Sequence, residues 1–197
     1  MKKIALVLMI TAVLTGNAFA QLDPDDDGIG VYFDPCACVN CLTLDAGEHL
    51  GDIVITHPTS PMGILGWECK MWAEGPAFIT SVELLGNAID VGTRENEYIV
   101  GLADPLYNPY SFPAIVVAMV NVFITDTSEP INFYIDGVYF PSHESGQPAY
   151  LDGSDNTIIK PLQQSTGGPD FPVATINGEC AVATESTTID GIKALYR

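Results

Sequence analysis

The residues most suited to chemistry lie near the amino end. In Asp23-Pro-Asp-Asp-Asp-Gly28 the spacing D-x-D-x-D-G puts carboxylates at the first, third and fifth places of a calcium-type loop, with glycine at the sixth. Calcium takes six to eight oxygens, and a tight loop aims several at one point. Asp23, Asp25 and Asp27 would be joined by the carbonyl of Ile29 at the seventh place and by Asp34 at the twelfth. The pattern departs from the standard loop in having Asp rather than Glu at the twelfth place and Gly30 at the eighth, and no helix fits before it. The sequence therefore offers two readings, a divalent cation site, calcium being the possible cofactor, or a solvated acidic arm. No cofactor is otherwise required.

Five cysteines follow, Cys36, Cys38, Cys41, Cys69 and Cys180. Cys36, Cys38 and Cys41 with His49 are four potential zinc ligands, yet the spacing matches no standard zinc knuckle, and in an exported chain disulfides come first. Cys69 alternates with Trp67 and so points inward. It needs a distant inward partner, and Cys180 is the only cysteine outside the amino-terminal cluster, so a Cys69 to Cys180 bridge is expected. Two of the remaining three then pair locally and one is left over.

Catalysis has little support. There is no Gly-x-Ser-x-Gly elbow, the three histidines sit in loop-like contexts, and no spacing singles out a carboxylate pair among 25 acidic residues. The aromatic residues Trp72, Tyr107, Tyr110 and Tyr139 form a candidate platform for a sugar or peptide, with rim packing as the alternative.

The elements that must position these groups read as strands. Ala114 to Thr125 is an almost unbroken β-branched apolar run between Pro113 and the turn at Asp126 to Pro130. Alternation places Val116, Ala118, Val120, Val122 and Ile124 on one face and Ile115, Val117, Met119 and Phe123 on the other, so it reads as a central strand covered on both sides. Shorter strands are expected around it: 29–34, 42–45, 52–56, 63–72, 78–84, 97–102 and 131–136. Asp136-Gly137 signals a hairpin into Val138-Tyr-Phe140, and 157–162 and 171–176 supply the last strands. Leu65, Trp67, Cys69 and Met71 should share one face. Short strands separated by Gly and Pro indicate an all-β fold, an antiparallel β-sandwich of Ig-like or jelly-roll-like type, with a possible short helix over 186–197.

Residues 1–20 read as a signal peptide: Lys2-Lys3, an apolar stretch from Ile4 to Val13, and a small-residue cleavage site at Ala18-Phe-Ala20. The rest, 21–197, has the length of a single domain, secreted or periplasmic, with no stable membrane insertion expected. The net charge of −18 argues against nucleic acid and favours cations or basic partners, while also keeping the chain soluble. Apolar residues make up 47% of the sequence, enough for a core and too many for a disordered acidic chain.

Gly30-Val-Tyr-Phe-Asp34, Gly66-Trp-Glu68 and Gly191-Ile-Lys-Ala-Leu-Tyr-Arg197 together resemble the opening, centre and ending of a group of small exported bacterial β-domain proteins. The resemblance implies an exported β-domain and carries no activity. The reading that joins these observations is a structural or interaction module of the cell envelope or exterior, without catalysis. A calcium-assisted carbohydrate- or protein-binding domain is the alternative, with a protein or glycan as partner; the oligomeric state is not legible.

Overall fold

The computed structural model of the chain describes residues 25–108 and 113–180. The leader, Asp23, Tyr110 and the segment 186–197 expected to form a helix lie outside them. The described residues form strands and turns without a helix: β1 (Gly28–Tyr32), β2 (Cys41–Leu42), β3 (Gly47–Thr56), β4 (Ile64–Glu74), β5 (Ala77–Leu84), β6 (Ala88–Asp90), β7 (Glu97–Leu106), β8 (Ala114–Ile124), β9 (Ile131–Asp136), β10 (Ala149–Asp152), β11 (Ile159–Pro161), β12 (Gln163–Gln164) and β13 (Ala174–Ile176). The fold is all-β, as the spacing of short apolar runs predicts.

Two sheets share the core. The first runs β12-β1-β3-β8-β5, and the second runs β11-β10-β4-β9-β13-β2, with β7 also on β4 and β6 on β7. Pairing is antiparallel except for the short edge pairs β1 with β12 and β2 with β13. Strand β4 organises the second sheet. Glu68 pairs with both Ile99 of β7 and Ala149 of β10, and Lys70 with both Glu97 of β7 and Asp136 of β9, so β10 and β9 lie end to end along the edge opposite β7.

Strand β8 is an interior strand, as the apolar run predicts, but its faces differ from simple alternation. The register slips where Ile53 opposes Ala118 and Val54 opposes Val116, leaving Val117 as the extra residue. The bulge changes the phase: Ile115 and Val117 point inward before it, Ala118, Val120, Val122 and Ile124 after it, and all belong to the core. The other face is covered only at its amino end, where Ala114 is buried with Tyr32, Ala37 and Val54 and Val116 packs against them; farther along, Phe123 stacks on Phe78 with ring centroids 5.8 Å apart and stays partly exposed. A second slip, between Ile64 and Gly66, turns Leu65 out of the core and Ile64 into it, while Trp67, Cys69 and Met71 are buried as expected. Each fully buried aliphatic side chain of this kind contributes roughly 1.5–3 kcal/mol.

The expected Cys69 to Cys180 bridge does not form. Cys180 is bonded to Cys41, with Cα atoms 5.3 Å apart, and Cys69 is a free thiol fully enclosed by the core. Burial pushes its pKa up, and a neutral thiol needs no partner because it packs as a small apolar group. Cys180 follows β13, which lies beside β2, and Thr175 pairs with Cys41 itself, so proximity in the sheet selects the partner.

Opposite this bridge, a polar clasp holds the start of β1 to β10 and β11. Asp152, buried on β10, accepts hydrogen bonds from Ser60 Oγ (2.8 Å), Ser154 N (2.8 Å) and Ser154 Oγ (2.6 Å) and pairs with Lys160 Nζ at 2.9 Å. Burial alone would raise its pKa; the Ser154, Lys160 and Ser60 bonds outweigh it and hold the carboxyl well below the ordinary value of 3.8.

Two outcomes follow from these contacts. Peptide mapping without reduction should recover a Cys41 to Cys180 peptide. Reduction should destabilise the fold by up to about 5 kcal/mol, because the bridge spans 139 positions, and a Cys69 to Cys180 peptide would contradict the structure. Because the folded carboxyl of Asp152 titrates below its unfolded value, its stabilisation is present above about pH 4 and is lost as the pH falls from there. Asp152→Asn is expected to cost about 1–3 kcal/mol at neutral pH and to flatten the acid limb of a pH–stability curve; an unchanged curve would remove Asp152 from the clasp.

Candidate functional site

The acidic stretch near the amino end does not close as one loop. Residues 28–32 are extended in β1, which at about 3.3 Å per residue keeps Asp27 and Asp34 roughly 20 Å apart. Asp27, with φ of 56°, accepts from Thr59 N (2.7 Å), Thr59 Oγ1 (2.7 Å) and Tyr150 Oη (2.6 Å). The Tyr150 phenol is raised by burial and by this bond, so it stays a donor. Lys160 Nζ reaches Thr59 Oγ1 at 3.0 Å, joining Asp27 to the Asp152 clasp. The Ile29 carbonyl accepts from Ser165 N at 3.0 Å, and Asp25 sits exposed at the edge of the described chain. Asp34, beyond the far end of β1, accepts through Oδ1 from Cys38 N (2.9 Å) and Val39 N (2.7 Å) and takes the Cys36 thiol on Oδ2. That bond, with help from Cys38, pushes the Cys36 thiol up to about 12. Of the expected calcium ligands, then, Asp27, Ile29 and Asp34 hold three different parts of the fold, because a strand separates what a loop would have gathered.

The aromatic set divides as well. Trp72 stacks on Tyr134 of the neighbouring strand, centroids 5.3 Å apart and 16° from parallel, with Lys70 Nζ 4.8 Å from its ring centroid. Tyr139 lies in the 137–148 connection with the Arg94 guanidinium 3.8 Å from its ring centroid, and Lys70 and Tyr139 line one cleft of about 460 Å³ together with Glu97 and Asp136. Tyr107 is exposed beyond the other end of β4, next to Gly63.

What joins Trp72 and Tyr139 is the outer face of the second sheet. The Asp136-Gly137 pair, expected to turn a hairpin, instead starts a strap, residues 137–148, that crosses this face. Its ends close so tightly that a Cβ on Gly137 would lie 1.9 Å from the Gly146 carbonyl, which is why glycine is needed there. Two buried carboxylates fasten the strap: Glu97 accepts from Tyr139 N at 2.6 Å, and Glu68 accepts from Ser142 N and Ser142 Oγ at 2.7 Å each. They are buried because the strap covers them, and bearable in that place because its donors satisfy them.

On one side of the strap lies the polar cleft with Lys70 and Arg94. On the other is an apolar groove of about 270 Å³. Its geometry follows from one cross-strand row in exact register, Ile89 opposite Gly101, Gly101 opposite Gly66, Gly66 opposite Leu151 and Leu151 opposite Ile159. The two glycines are the floor, and the isoleucines and Leu151 are the walls, with Val91 and Ile99 one step along. Ile89 is 68% exposed and Val91 60%. The outward face of an antiparallel sheet is ordinarily polar, so a contiguous apolar row there departs from the usual pattern. At Gly66 a Cβ would meet the Val100 carbonyl at 2.7 Å, whereas at Gly101 it would meet nothing within 4 Å. The floor at Gly101 is open space.

Sequence reasoning missed this groove. Ile99 and Gly101 alternate with the inward Val100, and Ile89 with Asp90, but the row exists only once β6, β7, β4, β10 and β11 are aligned. Two of the three histidines are engaged away from any nucleophile and base pair: His49 Nε2 contacts the Asp45 carbonyl at 2.8 Å, and His143 Nδ1 meets Ser145 Oγ at 2.9 Å in an exposed turn.

The strap's fastening is testable. Glu68→Ala leaves the Ser142 donors without their acceptor and should cost about 1–3 kcal/mol. Limited proteolysis followed by mass spectrometry should show faster cleavage within 137–148 while the strand segments stay protected; an unchanged digest would mean that the strap is held by other contacts.

No family model matches the chain, and no curated protein matches it. Among solved structures, the sixth cohesin of scaffoldin B from Acetivibrio cellulolyticus, solved in complex with a mutant dockerin, is similar over 79% of this chain and 100% of its own, with 10% sequence identity and a TM-score of 0.49. A likeness at that level carries no functional weight.

Proposed function

We propose that this chain is an exported, non-catalytic interaction module whose binding face is the outer side of the second sheet, and that its partner is a protein that inserts an aliphatic or aromatic anchor into the groove over Gly66 and Gly101 from a basic surround. The observation that carries this is the apolar row from Ile89 to Ile159 with a glycine floor. A cavity of about 270 Å³ is at the lower limit for a small-molecule pocket and suits one or two large side chains of a protein ligand. The net charge of −18 supplies the other half: a basic surround is attracted at long range, and the apolar anchor then fixes the register. The Cys41 to Cys180 bridge supports an oxidising compartment, in keeping with the signal-peptide reading of residues 1–20.

The test uses labelled ten-residue peptides with a central Leu-Phe pair flanked by lysines, and two controls, one with the pair changed to Ser-Ser and one with lysines changed to glutamates. Fluorescence anisotropy should show binding of the first peptide alone, weakening as salt rises. Gly101→Leu starts from a Cβ that meets nothing within 4 Å and projects into the groove, so in a chain that still folds it should reduce affinity by at least about tenfold. Equal binding of all three peptides, or full affinity in Gly101→Leu, would overturn the reading.

A further inference from the structure

The turn after β1 gathers a donor set of a different kind. Asp34, Cys36 and Cys38 each offer a ligand atom, a carboxylate oxygen and two sulfurs, and these atoms all lie within 4.8 Å of one another. The three side chains are partly exposed and both cysteines are free. We infer that Asp34, Cys36 and Cys38 form a binding site for one thiophilic divalent cation of the zinc type.

The geometry supports this in three ways. Ligand atoms around a tetrahedral zinc, with Zn–S of about 2.3 Å and Zn–O of about 2.0–2.2 Å, are separated by roughly 3.5–4 Å; the three atoms here lie within 4.8 Å of one another, and the Asp34 and Cys36 atoms, now hydrogen-bonded, have to part to admit the ion. The carboxylate is aimed in advance: its Oδ1 is held by Cys38 N and Val39 N, and Oδ2 faces the Cys36 sulfur, the outer-shell support that orients a metal ligand, while the Cys38 thiol donates to the Cys36 carbonyl at 3.2 Å and has to turn from it to bind. The turn itself is fixed by the Phe33 N to Val39 O bond of 2.7 Å and by Ala37, which is fully buried with φ of 52°. The Cys36 thiol donates to Asp34 Oδ2, so the sulfur and the carboxylate oxygen already face each other.

The exchange balances. One divalent cation enters, the Cys36 and Cys38 thiols each release a proton to solvent, and the two thiolates with the Asp34 carboxylate complete three coordination positions, leaving the fourth to water. The site's net charge does not change. Paired thiolates select zinc or cadmium over calcium and magnesium, which prefer oxygen. This set replaces the one the spacing suggested: Cys41 is held in the disulfide and His49 is turned to the Asp45 carbonyl, while Asp34 joins from the strand end.

Titration of the whole chain, purified without reductant, with zinc or cadmium provides the test. Thiol counting on the unfolded protein should first find three free thiols. Cadmium should then produce the ultraviolet thiolate-to-metal band saturating at one ion per chain, with two protons released per ion. Cys36→Ser and Cys38→Ser should each abolish the band; Cys69→Ala should leave it intact. Asp34→Asn keeps an Oδ1 acceptor for the turn and removes the ligand oxygen, so in a chain that still folds it should weaken binding at least about tenfold. A thiol count of one, which would mean that Cys36 and Cys38 are bonded to each other, overturns the inference. So does absence of the band, or a band that persists when both cysteines are serine.

Discussion

Two twisted sheets can share one core only if every strand keeps its apolar residues on the inner side along its whole length, and the rest of this molecule depends on how that phase is maintained. The chain does it with bulges. Val117 is the extra residue that lets Ile115 and Val117 face inward before it and Ala118 to Ile124 face inward after it. Leu65 plays the corresponding part in β4 against β10, where Ile64 opposes Asp152 and Gly66 opposes Leu151; Ile64 lies in the core and Leu65 at the apolar groove. A one-residue slip in a strand moves every following side chain to the other face, and a third slip, between Ile79 and Ser81 of β5, resets the phase there too, so these irregularities help decide what is core and what is surface.

A second regularity concerns the acidic residues. The chain has 25 acidic residues against 7 basic ones, so most carboxylates have no basic side chain to themselves; Lys160 pairs with Asp152. The carboxylates instead accept from backbone N–H groups where the chain turns: Asp34 from Cys38 and Val39, Asp90 from Gly92 and Ile99, Glu97 from Tyr139, Glu68 from Ser142, Asp126 from Ser128 and Asp155 from Thr157. Turns expose donors that no strand neighbour can satisfy, and an ionised acceptor makes a stronger bond than a neutral one. Much of the acidity thus has a local structural use in addition to its long-range field.

The strap shows how this arrangement creates a surface. Because Glu68 and Glu97 hold residues 137–148 across the second sheet, the outer face is divided into an apolar groove and a cleft where Lys70 and Arg94 face aromatic rings. Two chemically distinct surfaces meet along one loop, and the contacts that keep them apart are buried carboxylates.

The sequence by itself determined the all-β class, the interior position of the Ala114–Ile124 run and the inward direction of Trp67, Cys69 and Met71, because alternation and β-branched content act locally and survive whatever the strands pair with. It also contained Asp34, Cys36 and Cys38 in one short stretch, with Cys41 and His49 close by in sequence as competing ligands. Tertiary structure alone decided the rest. Cys180 meets Cys41 because β13 lies beside β2, a choice made by sheet order and invisible to spacing. Asp27 and Asp34 part because the residues between them are extended in β1. Ile89, Gly101, Gly66, Leu151 and Ile159 form one row only after five strands are brought into register, and pairing between segments so distant in sequence is set by the whole core.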